Sequence, residues 1–305
     1  KVFKEAIKDE NIEIIHAHGR IPALNGKIIS LLKGIPFMTT AHAKFKVSFV
    51  YKYTSFWGKE VISISEDVKE HLINKFNVKP ERITLITNGI DTTRFTHGLD
   101  VSAQMKELKL RDDTMKVVYS SRLAGSLASL TKLLIEAAKE IYNENDKIEF
   151  IIVGDGEDFK EISESAEKVN TECGSKFIHM LGKRTDMPQV LSLGDTVICV
   201  ARTALEAMSC EKPIILAGGE GYMGLLSEEN METAISNNFT GRTTSDEVSV
   251  DKLKDEIKAL LHPSKKERRE GLGKLGRKVV EEKFSIENMV RETVDIYYKL
   301  LKGVR

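Results

Sequence analysis

Residues 61–95 read VISISEDVKEHLINKFNVKPERITLITNGIDTTRF. Val61, Ile62 and Ile64 form a short apolar run that predicts a strand, and Ser65-Glu66-Asp67 is a helix-opening cluster. The helix carries Val68, His71, Leu72 and Phe76 on one face, and Pro80 ends the connection. Ile83, Leu85 and Ile86 predict the next strand. Asn88-Gly89 is the dipeptide that most readily reverses the chain at positive φ. Strand, helix, strand and turn in that order make one βα step of a parallel sheet.

The same alternation runs outward in both directions. Upstream, Val2, Phe3, Ala6 and Ile7 predict a helix, residues 12–15 a strand, 21–32 a helix closed by Lys33-Gly34, and 37–40 a strand. Residues 95–114 are polar, contain Gly98 and break the periodicity, as an interdomain linker does. Downstream, strands are expected at 117–119, 148–153, 177–180, 196–200 and 213–217. Helices are expected at 127–142, 159–169, 187–193 and 204–210, then at 250–282 and 286–301. Strict alternation implies parallel sheets with right-handed crossovers, whose ligands sit at the carboxyl ends of the strands. The expected domains are residues 1–108 and 109–285. The helix of 286–305 has an apolar stripe (Met289, Val290, Val294, Ile296, Tyr297, Leu300) that needs a partner face, and it is expected to return to the first domain.

A chain of 305 residues, 41% hydrophobic, is long enough for two such cores. Its 46 Lys and Arg offset its 46 Asp and Glu, so no global basic field exists to hold a nucleic-acid backbone. Cys173, Cys199 and Cys210 are odd in number and lack metal-finger spacing, which points to reduced thiols in a cytoplasmic protein. No apolar run approaches the roughly 20 residues of a membrane span.

Several segments beyond 61–95 carry possible chemistry. Val153-Gly154-Asp155-Gly156-Glu157 takes a strand into Gly-x-Gly before a helix, which either presents backbone N–H groups to a phosphate or base or simply makes a tight turn. In residues 194–213, GDTVICVARTALEAMSCEKP, a strand runs into a helix whose start carries Arg202 and Glu206 at i, i+4. The pair is either a helix-stabilising ion pair or a phosphate and ribose site at the positive end of the helix dipole. Arg122 follows a strand in Ser120-Ser121-Arg122-Leu123. His16 and His18 follow another, with His42 beyond a third. Residues 218–224, GGEGYMG, are glycine-rich enough to let backbone approach a ligand, as a mobile loop.

In order and spacing these segments resemble the family 4 retaining glycosyltransferases. The run at 61–95 is similar to that family's "sxSxxxxxxl…fgvxxxxixvixNGxDxxxF", and the others to its "vGdGxe", "EAma.gkP", "GRL" and "vHxH" stretches. The resemblance implies an α/β GT-B fold of two Rossmann-like domains with parallel sheets facing across a cleft. It implies retaining transfer of a sugar from a nucleotide-sugar, in polysaccharide, glycolipid or cell-envelope glycan synthesis. By the same resemblance His18, Arg122 and Glu206 are the catalytic residues. Gly154, Gly156, Gly182, Lys183, Arg122, Arg202, Thr203 and Glu206 contact the donor, with Glu206 on the ribose and Arg122 on the diphosphate. The nucleotide-sugar is a co-substrate, and neither a cofactor nor a metal is required. The acceptor is a glycan or lipid-linked molecule, there is no nucleic-acid partner, and the expected location is cytoplasmic, compatible with peripheral contact at the inner membrane face.

The chain begins at Lys1 in mid-fold, and the resemblance implies about two further βα units upstream, including the first strand and its glycine-rich turn. The first domain is therefore expected to be incomplete, and the 305-residue chain to bind donor while transferring sugar poorly. Three positions depart from the family pattern. Its sugar-contacting glutamate, eight residues before Glu206, is Ile198. Its lysine shortly after the clamp arginine is absent from residues 123–131, with Arg202 as the candidate replacement. The glycine that closes the helix of the "EAma.gkP" stretch is Glu211. Two alternatives stay open: a nucleotide-sugar epimerase of the same architecture, and a nucleotide-sugar-binding protein with weakened catalysis. A dinucleotide oxidoreductase lacks its GxGxxG and downstream acid. Sequence names neither the sugar, the base, the acceptor nor the oligomeric state.

Overall fold

The structure is a computed structural model that describes residues 11–242, 244 and 246–302, so the helix expected at 2–7 lies outside the described residues. The chain divides into two compact units, one holding residues up to Gly89 together with those from Ile286 onward, the other Ile90–Ser285.

The first unit runs β1 (Ile15–His18), α1 (Arg20–Lys33), β2 (Phe37–Ala41), α2 (Phe49–Thr54), β3 (Glu60–Ser63), α3 (Glu66–Phe76) and β4 (Ile83–Leu85). Its four strands pair in parallel in the order β1-β2-β3-β4. Helix α1 packs through small residues. Ala23 and Gly26 are its buried positions, and a Cβ on Gly26 would meet the Phe37 ring at 2.8 Å. It ends on Gly34 in the left-handed region, whose N–H returns to the Ser30 carbonyl.

The second unit opens with α4 (Ser102–Leu108) and β5 (Met115–Ser120), followed by α5 (Ser126–Glu144), β6 (Ile148–Val153), α6 (Phe159–Glu172) and β7 (Ile178–Gly182). Then come α7 (Met187–Leu193), β8 (Thr196–Cys199), α8 (Ala201–Ser209), β9 (Ile214–Gly218) and β10 (Gly221–Leu225). Helices α9 (Glu228–Ser236), α10 (Val250–Leu261) and α11 (Lys266–Lys283) complete it. Its sheet order is β10-β9-β8-β5-β6-β7, parallel except for β10. Alternate strand residues face opposite helix layers. Val117, Phe150 and Ile198 pack with α5, α6 and α10, whereas Val118, Ile151 and Cys199 pack with α7, α8 and α9. Parallel strands covered on both faces need continuous apolar runs, and residues 148–153 are buried throughout.

Helix α12 (Ile286–Lys302) belongs to the first unit. Its buried Ile296 and Leu300 pack with Met38, Ile62 and Ile86, each contributing about 1.5–3 kcal/mol of apolar burial.

Three expectations need correction. Residues 95–114 are not a linker outside the second unit, because Ile90, Phe95 and Leu110 are buried in its core, and the division falls at Gly89 rather than 108. Asn88-Gly89 has no positive φ. Glycine is needed there because a Cβ would lie 2.7 Å from the Ile286 Cα as α12 returns. Residues 218–224 are not an open loop. They form the β9–β10 hairpin, with a bulge between Tyr222 and Gly224, and Glu256 accepts from the Leu225 N–H at 2.8 Å and from the Tyr222 hydroxyl. Gly221 is required where a Cβ would meet the Gly241 carbonyl oxygen at 2.2 Å.

Candidate functional site

In the second unit the chain order reverses between β8 and β5, which are hydrogen-bonded neighbours although β6 and β7 lie between them in sequence. Crevices beyond the carboxyl ends of strands at such a reversal are where open α/β sheets bind ligands. The turn after β5 supplies Arg122 and the turn after β8 supplies the start of α8. Arg122 is exposed and has no ion pair among the described residues.

The α8 start is built under backbone strain. Ala201 has φ of 52°, and its N–H donates to the carbonyl of Phe239 at 2.8 Å, where Asn238 and Phe239 have φ of 58° and 57°. Each non-glycine residue held there costs roughly 1–3 kcal/mol, and such residues cluster at functional sites. Val200 in the N-cap position carries no side-chain oxygen. The first-turn N–H groups of Arg202 and Thr203 therefore have neither an intrahelical acceptor nor a capping side chain, and they stand at the positive end of the helix.

Glu206 lies one turn in. Its side chain is 13% exposed and accepts from Arg202 Nε at 2.9 Å, while Arg202 itself is 65% exposed. Burial pushes the Glu206 carboxyl above the ordinary range, and Arg202 and Arg94 oppose that shift. Glu206 in turn helps burial push the Cys199 thiol up, so Cys199 is an unreactive core residue.

The Gly-x-Gly turn after β6 is packed rather than open. A Cβ on Gly154, whose φ is 145°, would lie 1.8 Å from the Ser121 carbonyl oxygen, and one on Gly156 would lie 2.3 Å from that of Leu123. The Gly154 N–H donates to Gly182 at 3.0 Å and the Gly156 N–H to Asp155 Oδ1 at 2.8 Å. Both glycines thus hold the Arg122 turn against the β6 turn, while their N–H groups are engaged within the protein. Gly182, with φ of 63°, ends β7, and the next residue, Lys183, is exposed without an ion pair among the described residues.

Ile198 lies in mid-strand, fully buried among core residues. Only Val200 separates β8 from α8, and the side chain at position 198 is enclosed by the core. Lys132 is on α5 and pairs with Glu161 at 2.5 Å, whereas Arg202 and Lys183, like Arg122, follow the strand ends, and Arg94 acts on Glu206. Glu211 adopts φ of 56°, taking the left-handed conformation expected of a glycine.

In the first unit, the ends of β1 and β2 gather three histidines. His18 Nδ1 lies 2.7 Å from His42 Nε2, so one nitrogen donates and the other accepts. His16 lies 2.8 Å from the Tyr297 hydroxyl and 2.7 Å from Thr40 Oγ1, with its ring 4.3 Å from that of His18. Burial, aided by His18 and His42, lowers the His16 pKa to about 4, and burial lowers those of His18 and His42. The three rings are therefore held as neutral imidazoles, a form that can hydrogen-bond a hydroxyl without bringing charge. Sequence reasoning gave His16 only a packing or solvated role. Its two-residue spacing from His18 on a strand was the available signal, since it puts both on one face. Arg94 was missed, and nothing in its local sequence marks it. Among the described residues no group of three or more His, Cys, Asp or Glu side chains could hold a metal ion.

Comparison with known proteins agrees with this architecture. The family model Glycosyltransferase Family 4 matches residues 1–94, and Glycosyl transferases group 1 matches residues 100–279. The chain is 27% identical over 247 residues to an Escherichia coli UDP-Gal:alpha-D-GlcNAc-diphosphoundecaprenol alpha-1,3-galactosyltransferase, covering 73% of this chain and 62% of that protein. It is 25% identical over 323 residues to the N-acetyl-alpha-D-glucosaminyl L-malate synthase of Bacillus anthracis, covering 98% and 77%. Among solved structures, a glycosyltransferase from Rickettsia africae superposes with a TM-score of 0.78 at 21% identity, over 99% of this chain and 80% of that one. Anabaena Alr3699/HepE in complex with UDP-glucose gives 0.75 at 19%, over 98% and 82%. The two-unit α/β architecture is thus a GT-B fold, and the chain belongs to the glycosyl transferases group 1 family.

Proposed function

We infer that the chain transfers a sugar from a nucleotide-sugar donor to a glycan or lipid-linked acceptor, with retention. The observation that carries this reading is Glu206, largely buried beside an uncapped helix start at the chain reversal of the second unit's sheet. A carboxylate there accepts both ribose hydroxyls, and the α8 N–H groups with Arg122, Arg202 and Lys183 take the diphosphate. In the transfer, the bond from the anomeric carbon to the phosphate oxygen breaks and its electron pair leaves with the nucleoside diphosphate. The acceptor oxygen bonds the same face of the anomeric carbon, and its proton passes to the departing phosphate oxygen. Fixed cations at the leaving group lower the barrier by meeting charge as it develops. The neutral His18–His42 pair serves as a hydrogen-bonding group for a sugar or acceptor hydroxyl.

Support comes from family membership, from the UDP-sugar named for the E. coli relative, and from the UDP-glucose held by the Anabaena protein. The buried Ile198 favours a second reading, a nucleotide-sugar-binding protein with weakened transfer. Thermal-shift screening against nucleoside diphosphates and their sugars, followed by anomer assignment of any product by NMR, separates the two. Binding with an α-retained product supports transfer, and binding without product supports the second reading. No shift with any nucleotide at millimolar concentration overturns both.

A further inference from the structure

In the donor-site reading Arg202 has two tasks that exclude each other. It balances the Glu206 carboxylate through its Nε at 2.9 Å, and it is assigned to the ligand's diphosphate. Its side chain is 65% exposed and free to turn outward, whereas that of Glu206 is 13% exposed. Once Arg202 turns away, a largely buried carboxylate whose pKa burial already raises has lost its ion-pair partner. A cation that stays in place is needed.

Arg94 meets that need, and the chain around it is built to hold it. Asp91 Oδ1 accepts from the Thr93 N–H at 3.0 Å, the Thr93 hydroxyl at 2.7 Å and the Arg94 N–H at 2.9 Å. The Phe95 N–H donates to the Asp91 carbonyl at 2.9 Å, and the Phe95 ring is buried in the second unit's core. The Phe95 carbonyl in turn accepts from the hydroxyl of Ser209, a turn beyond Glu206 on α8. Residues 91–95 therefore lie against the helix that carries Glu206.

The Arg94 guanidinium stands 5.4 Å from the centre of the Phe95 ring and donates through Nη2 to the Thr185 carbonyl at 3.4 Å, in the turn that carries Lys183. It makes no ion pair among the described residues, and its charge acts on Glu206 through space. The other titratable groups around Glu206 offer no substitute. Burial pushes the Cys199 and Cys210 thiols up, so both are neutral, and Arg277 from α11 is engaged by the Ser209 carbonyl and by Glu281.

We propose that Arg94 is a positioning residue of the donor site, which keeps the Glu206 carboxylate charged for the ribose while Arg202 turns to the diphosphate. The proposal rests on the donor-site reading above and deepens it. Arg94 acts through Glu206 and not on the ligand, and its tie to Thr185 couples the ribose end of the site to the Lys183 turn.

Two experiments on the full chain test this. The first needs no ligand: urea unfolding of the parent, Arg94→Gln, Glu206→Gln and the double variant at about pH 8, where the carboxyl is ionised. Loss of Arg94 should raise the unfolding constant roughly three- to ten-fold, the scale of one screened charge interaction near a protein surface, and should leave it unchanged where Glu206 is already Gln. An Arg94 that merely braces Phe95 or Thr185 would cost the same in both backgrounds. The second titrates UDP by calorimetry. Glu206 takes the ribose in its ionised form, so affinity falls as pH drops through its raised pKa, and without Arg94 that fall begins at higher pH. Between about pH 8 and about pH 6 the Kd of Arg94→Gln should weaken about ten-fold more than the parent's, one pKa unit being ten-fold. Titration of the UDP phosphate is common to both and cancels. Arg94→Lys keeps the charge and should restore most of both effects. Equal costs in the two backgrounds, parallel pH profiles, or an Arg94→Lys variant as impaired as Arg94→Gln overturns the proposal. Coupling in the unfolding cycle with no UDP binding by the parent would instead sink the donor-site reading, and the ribose task of the pair with it.

Discussion

Replacing Glu206 by Gln is expected to move stability and nucleotide affinity in opposite directions. The carboxylate is 13% exposed, and its ion-pair partner Arg202 is 65% exposed. Burial raises its pKa in the folded chain. A carboxyl with a raised folded pKa is tolerated while protonated and becomes a burden once ionised. Its contribution is therefore neutral below the unfolded carboxylate pKa and turns unfavourable as pH rises through the folded one. Glutamine removes that burden and loses an exposed i, i+4 pair worth a few tenths of a kcal/mol. The net change at neutral pH is a gain in stability, read as a rise in Tm. A ribose bound through its hydroxyls loses a charge-assisted hydrogen bond, about 1–2 kcal/mol, so the Kd for nucleoside diphosphate weakens roughly five- to thirty-fold. Differential scanning calorimetry gives the first quantity and isothermal titration the second. The reasoning is refuted if the variant is less stable at neutral pH and binds nucleotide as tightly as the parent.

Gly154→Ala should cost the second unit about 2–6 kcal/mol, adding backbone strain at φ of 145° to a Cβ placed 1.8 Å from the Ser121 carbonyl oxygen. A urea midpoint equivalent to a loss below about 1 kcal/mol would show that the two turns separate easily. For the first unit, His16 binds a proton less readily folded, at about 4, than unfolded, near 6.5. Its share of stability is therefore complete above about pH 6.5 and is lost as pH falls toward 4. Thermal melts across that window should show His16→Gln losing less stability than the parent, and equal slopes would contradict the assignment.

Elements with one strong local cause were readable from sequence. Residues 148–153 are an unbroken apolar run, and a strand of those bounds forms. Helix α7 has the expected bounds, opening on Met187-Pro188 and stopping before Gly194. Strand β10 was hidden because its glycines are there for close contact with Gly241 and Glu256, and strand propensity does not register distant backbone. The division at Gly89 was hidden for a related reason: Ile90, Phe95 and Leu110 are too far apart in sequence to look like a core. At the donor end, the Arg202–Glu206 pair followed from helical spacing, whereas the left-handed Ala201 depends on Phe239 and has no local signature. Tyr297 reaches His16 from 281 residues away, a link only the fold makes.

The return of α12 has a consequence for how the chain is assembled. The first unit is discontinuous in sequence, and the second is inserted between Gly89 and Ile286. The ends of that insertion are stitched together, with Ile90 bridged to Ser285 and the Ile90 N–H donating to the Phe284 carbonyl at 2.8 Å. During synthesis from the amino end, Met38, Ile62 and Ile86 emerge long before Ile296 and Leu300, which cover them. Folding of the insertion closes that long loop and delivers α12 beside its sheet, so the loop-closure entropy is met by the second unit's own core. The apolar sheet face of the first unit therefore stays open until α12 has emerged from the ribosome.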